Sequence, residues 1–162
     1  MLKKLIIDSS TLIALERVKL LHLLNKINYE IEIPKAVYEE TKIKGKRIKV
    51  MALKGKTLKI SRSLEISGFG KGEAQCIALA RKNNLNFIIC DDLKVMRKLF
   101  FVNNKDLRAV KILGFSFFLH QFFKKKLIKD IWASFEIIIS NNKWRRSEVQ
   151  VSNYIFLKEL GY

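Results

Sequence analysis

Histidine and cysteine are scarce in this chain. Two of each stand among 162 residues, with one proline and 15 acidic residues against 32 lysines and arginines. The histidines, His22 and His120, sit in the apolar helical patterns LLHLL and FFLHQFF, where packing or surface exposure accounts for them. Chemistry that needs a histidine base for a nucleophile is therefore nearly excluded. Cys76 and Cys90 form no CxxC pair and no Cys/His cluster, which argues against zinc. Both lie in apolar stretches and read as buried free thiols. Long apolar runs are missing too. No stretch reaches the roughly 18 residues of a membrane helix, and Met1-Leu2-Lys3-Lys4 leads into too short an apolar run for a signal peptide. A cytoplasmic protein with no membrane partner is the expectation. Any chemistry falls to the few carboxylates.

What is abundant is positive charge. The formal net charge is +17 and the isoelectric point is near 10.0. Such a chain attracts polyanions over long range, nucleic acid foremost. A Lys-, Ile- and Asn-rich composition also follows from an AT-rich genome. With 49% hydrophobic residues, a core forms without covalent staples. No Pro/Gly/Ser-rich linker interrupts it, so one domain over residues 1–162 is expected.

Short apolar runs alternate with helical patterns. Lys4–Ile7, Tyr29–Ile33, Leu58–Ile60, Phe87–Cys90 and Ala109–Leu113 read as strands. Helices are predicted from Ser10, from Pro34 as a first helical residue, over Glu73–Lys82, from Leu93 to about Phe101, and over Ser116–Lys125. The stretch from Leu127 to Leu160 reads as helical. Continuous apolar strands between helices call for a central parallel sheet covered on both faces. The predicted fold is a three-layer α/β/α sandwich, with residues from about 127 to 162 as a C-terminal helical extension. Lys42–Lys59 is thick with cations and holds no acid. It reads as a connection or as a phosphate-binding flank. The aromatic positions Phe115, Phe117, Phe118, Phe122 and Phe123 have helical spacing and suit a core or a dimer contact.

Against that basic background the acids are informative. Asp8 ends the first apolar run, and Asp91 with Asp92 ends a later one. Glu73 opens the helix that leads there. Glu39 and Glu40 follow the second strand. Each has a structural explanation: a helix cap for Asp8, Asp91 or Asp92, a helix dipole for Glu73, an exposed face for the glutamates. Taken together they read differently, because strand ends of one sheet converge on one crevice. A cluster of hard oxygen ligands suits Mg²⁺ or Mn²⁺, which activates water against a phosphate.

Four stretches in order, IIDSSTLIAL, IPKAVYEET, GKGEAQCIALA and NFIICDD, resemble the motifs of the PIN-domain ribonuclease family, in particular its VapC-like prokaryotic branch. The tail WRRSEVQVSNYIFLKELGY is similar to the end of that branch. The resemblance implies a divalent-metal-dependent endoribonuclease. It assigns Asp8, Glu40, Glu73 and Asp91 as catalytic residues, and the same four with Asp92 to the metal. Whether Glu39 or Glu40 is the second acid stays open; burial of Val37 favours Glu40. Ser10 would orient Asp8 or a water on the metal. Lys42, Lys44, Lys46, Arg47, Lys94 and Arg97 would hold RNA phosphates. The implied partners are RNA, an antitoxin protein if the chain is a toxin, and a second copy in a homodimer. Val95-Met96 replaces a Gly-Arg pair common in that branch.

Two other functions fit part of this pattern. A non-catalytic PIN-like module would bind RNA or protein without cutting. A haloacid-dehalogenase-type phosphohydrolase needs an aspartate two residues after Asp8, where this chain has Ser10.

Overall fold

The computed structural model describes residues 2–162, with the side chain of Asp106 outside the described residues. The apolar run after Lys4 forms β1 (Lys3–Ile6). Leu5, Ile6 and Ile7 are fully buried, and burial of each such side chain stabilises the fold by about 2 kcal/mol. β2 (Tyr29–Pro34) pairs parallel to it with Ile31 beside Leu5. β3 (Ile48–Met51) pairs parallel to β2 with Val50 beside Ile33. β4 (Phe87–Ile89) and β5 (Lys111–Leu113) form a second parallel pair. A parallel bridge between Ile7 and Ile89 joins the two sheets, and the Asp8 N–H donates to the Ile89 carbonyl at 2.9 Å.

The strand order is therefore β3-β2-β1-β4-β5. The chain winds outward one way from β1 and the other way from β4. In an open parallel sheet that reversal leaves a crevice beyond the carboxyl ends of the strands. Asp8 ends one of the two strands that flank it, and Asp91 with Asp92 follows the other.

The helices are α1 (Ser9–Arg17), α2 (Lys35–Thr41), α3 (Gly55–Ile66), α4 (Lys71–Lys82), α5 (Leu93–Phe100), α6 (Lys105–Arg108), α7 (Ser116–Lys124), α8 (Ile131–Asn141) and α9 (Glu148–Glu159), with a 3₁₀ turn at Leu21–Lys26. Together with the parallel strands they build the expected α/β/α sandwich. α4 is the most deeply set, burying every residue from Ala74 to Ala80. Among the described residues no helix is long and apolar enough to cross a membrane.

Several elements differ from the sequence expectation. Pro34 closes β2 and flanks α2 instead of opening it. Leu58–Ile60 lies inside α3, because Leu64 and Ser61 extend its buried stripe at helical spacing. The strand of that region is β3, within the lysine-rich connection. It is an edge strand whose Lys49 and Val50 face solvent. The segment after Leu127 is two helices, broken by a turn at 142–147. Phe115, Phe118 and Phe122 are fully buried, so the aromatic run is core. Phe115 packs on Phe135 of α8 at 5.5 Å between ring centres.

The C-terminal helices are built into this frame. Asn142, after α8, donates to the Ala14 carbonyl at 3.4 Å and accepts from Arg17 at 3.1 Å. Asn153 of α9 accepts from the Ser116 N–H at 2.9 Å.

Candidate functional site

At the crevice a cavity of about 440 Å³ is lined by Asp8, Ser10, Glu39, Glu40, Glu73 and Asp92, with Ala36 and Gly72 among its other walls. Five acids from four elements meet there in a chain of net charge +17.

Helix starts position three of them. Asp8 caps α1, accepting from the Ser10 N–H at 3.4 Å and the Ser10 hydroxyl at 3.1 Å. Asp92 caps α5, accepting from the Lys94 N–H at 2.9 Å. Glu73 lies in the first turn of α4 and accepts from the Gly70 N–H at 3.0 Å. Each carboxylate sits at the positive end of a helix dipole, which offsets part of the mutual repulsion. Capping and a place in the cavity are thus the same geometry.

Glu40 arrives from α2. A methyl group at Gly72 would lie 3.6 Å from Asp8 Oδ1 and 3.8 Å from Glu40 Oε2. The two oxygens border one small space that a bare glycine leaves open. Glu39 pairs instead with Lys35 at 3.6 Å. Of the two candidates, Glu40 therefore faces Asp8.

Burial is the main electrostatic force on Asp8. It raises the carboxyl above the usual range, opposed by the bonds from Ser10, Ser9 and Cys90. Beneath the cavity the buried Cys76 thiol is pushed well up by desolvation, with Asp8, Cys90, Glu73 and Glu40 adding to it. Cys90 points its sulfur at Asp8 Oδ2, 3.5 Å away, and is likewise held protonated by burial and by Asp8.

Asp91, expected among the metal and catalytic residues, does not line this cavity but the adjoining one, with Ser10 and Asp92. It accepts from the Thr11 hydroxyl at 2.7 Å, the Asn153 amide at 3.0 Å and the Phe115 N–H at 3.1 Å. Burial still raises its carboxyl to about 6, against those hydrogen bonds. Its own N–H donates to Ser10 Oγ at 3.0 Å, so Ser10 ties the two strand ends together. Asp92, the next residue, lines the acidic cavity together with Asp8.

The cations sort as clearly. Arg47 donates to the Ile27 carbonyl at 2.7 Å and braces the fold. Arg97 is paired with Glu148. Lys42 and Lys44 hold their ammonium groups over the Tyr38 ring, 5.7 and 5.8 Å from its centre, just past Glu40 in sequence. Lys46 is exposed. Lys94 and Arg97 line a neighbouring cavity of about 500 Å³ that shares Ser10 and Asp92 with the acidic one.

Sequence reasoning did not single out Thr11, Gly72, Lys98, Gly114 or Asn153. Thr11 stands in the first quoted motif, and Gly72 directly precedes Glu73. Asn153 lies within the quoted tail, which assigns no role to it.

The donor set fits a hard divalent cation: carboxylate oxygens without sulfur or imidazole ligands. Among the described residues, though, no three His, Cys, Asp or Glu side chains stand close enough to share one ion. The Glu73 carboxylate is engaged by the Gly70 N–H and by Lys98.

A doubly wound α/β protein with carboxylates gathered at the reversal of its parallel sheet is the class defined here. The chain belongs to the PIN-domain family: the family model described as PIN domain matches residues 4–158. The match takes in the C-terminal helices almost to their end. No curated protein and no solved structure matches the chain. PIN domains are generally nucleases and typically use divalent metal ions.

Proposed function

We propose that this protein is a metal-dependent endoribonuclease that hydrolyses RNA phosphodiester bonds in the cytoplasm, with residues 1–162 acting as a single PIN-like domain. One observation carries the reading: Asp8, Glu40, Glu73 and Asp92 line a single cavity at the sheet reversal of a PIN-family chain. These four residues would hold Mg²⁺ or Mn²⁺. A divalent cation there polarises the phosphate and makes water a better nucleophile near neutral pH.

The chain's own residues do the rest. Ser10 fixes the Asp8 carboxylate through its hydroxyl. Asp91 acts from behind, locking the end of β4 to α1 and α9 so that Asp92 faces the cavity. Lys42, Lys44 and Lys94 hold phosphates on either side of the cut without reading bases. A toxin role is the finer proposal; growth arrest on expression, relieved by Asp8→Asn, is its test.

The test of the activity is cleavage of single-stranded RNA with Mn²⁺ or Mg²⁺. Cleavage should stop with a chelator and in Asp8→Asn. A cut that survives Asp8→Asn overturns this mechanism. The binding-module reading is supported by Val95-Met96 in place of a Gly-Arg pair, by the Glu73 carboxylate engaged by Lys98, and by the absence among the described residues of three ligand side chains close enough to share an ion. Salt-dependent RNA affinity without Mn²⁺ binding would favour it.

A further inference from the structure

Lys98 comes from the last turn of α5, six residues beyond the Asp92 cap. Its ammonium lies 3.2 Å from Glu73 Oε2 and 5.5 Å from the centre of the Phe69 ring. Phe69 is buried, and the Lys98 and Glu73 side chains are 34% and 17% exposed. The ammonium is thus held between an aromatic face and a carboxylate, partly shielded from water. The Gly70 N–H holds the same oxygen at 3.0 Å. Both donors hold the Glu73 carboxylate over the start of its own helix, and the atoms nearest a methyl at Gly72 belong to Val37, Asp8 and Glu40.

We infer that Lys98 is a positioning residue that holds Glu73 apart from Asp8 and Glu40, so that a divalent cation binds only by displacing the ammonium from that carboxylate. The inference rests on the metal-site reading above. Lys98 then sets how tightly the cation is held. An ammonium and a divalent ion compete for one oxygen, and each positive charge in the pocket raises the cost of adding another.

The test is calorimetric titration of the full chain with MnCl₂. Lys98→Met keeps the stem on Phe69 and removes the charge; it should bind Mn²⁺ about fivefold more tightly than wild type, the scale of one partly screened ion pair. Lys98→Arg keeps the charge and should stay within about twofold of wild type. Without Mn²⁺, Lys98→Met should melt at a lower temperature than wild type, because the acids lose a counter-charge. If Lys98→Met does not fold, Lys98→Gln carries the same expectation. Equal or weaker Mn²⁺ affinity in the neutral variant overturns the inference while leaving the metal site standing. A wild-type chain that binds no Mn²⁺ overturns the metal-site reading itself.

Discussion

Asn153 donates to Asp91 at 3.0 Å from a helix that begins more than fifty residues further along the chain. Through that bond and the one it accepts from Ser116, α9 fixes the carboxyl end of β4. Asn153→Ala leaves a buried N–H and part of a buried carboxylate without partners. It should cost about 2–4 kcal/mol of stability, read by urea unfolding. A cost below about 0.5 kcal/mol, the range of an ordinary surface change, would show that the link is incidental.

Gly114 lies against the same pair. A Cβ there would collide with the Asn153 amide and come within 2.6 Å of Asp91 Oδ1. Gly114→Ala should therefore destabilise by about 2 kcal/mol or more through displaced hydrogen bonds. Its melting temperature checks this directly.

Asp91 also gives the fold a pH dependence. Its carboxyl is raised from 3.8 to about 6 by burial. Between those values the native state binds the proton that the unfolded chain has released, so stability falls as pH rises. The contribution is full below about pH 4 and lost as pH passes about 6. Asp91→Asn is short of acceptors at any pH, but it has no proton to lose. The stability gap between wild type and this variant should therefore move in the variant's favour by about 2 kcal/mol from pH 4 to pH 7. Unfolding curves at the two pH values measure it, and a constant gap would contradict the assignment.

Gly72→Ala separates the site from the fold. The residue is in the first turn of α4, and its added methyl would meet its neighbours at ordinary contact distances of 3.5–3.8 Å. Helix propensity should raise stability by about 0.5–1 kcal/mol. The same methyl enters the space between Asp8 and Glu40. Mn²⁺ affinity and RNA cleavage should fall about tenfold or more, on the scale of a displaced metal ligand shell. Greater stability with undiminished metal binding would mean that the cation sits elsewhere.

Asp92→Asn tests which strand-end acid serves the site. Asparagine caps a helix about as well as aspartate, so the melting temperature should hardly move. Cleavage should drop by about a hundredfold or more, as for loss of a group that acts in the chemical step. Unchanged cleavage would return the role to Asp91.

The sheet was legible wherever a strand was buried on both faces. Leu5-Ile6-Ile7 and Phe87-Ile88-Ile89 are apolar runs that only a covered parallel sheet accommodates. β3 was hidden because an edge strand tolerates lysine, and Ile48-Lys49-Val50-Met51 lies in a segment dominated by charge. The one-residue ambiguity at Asp91 and Asp92 has the same root. Successive side chains on an extended chain point to opposite sides. Cys90 turns to Asp8 and Asp91 turns to Phe115, but adjacency in sequence does not say which acid then reaches the crevice. The four quoted motifs did carry Asp8, Glu40 and Glu73 to one cavity. The bracing by Asn153 depends on how α9 packs, and the hold of Lys98 on Glu73 depends on where α5 ends.

The most direct test is a cleavage assay with single-stranded RNA and purified wild-type protein, run with Mn²⁺, with chelator, and with Glu40→Gln in Mn²⁺. Products should form in the first reaction alone. Equal cutting with chelator or by the Glu40 variant would contradict a nuclease built on a metal held by these carboxylates.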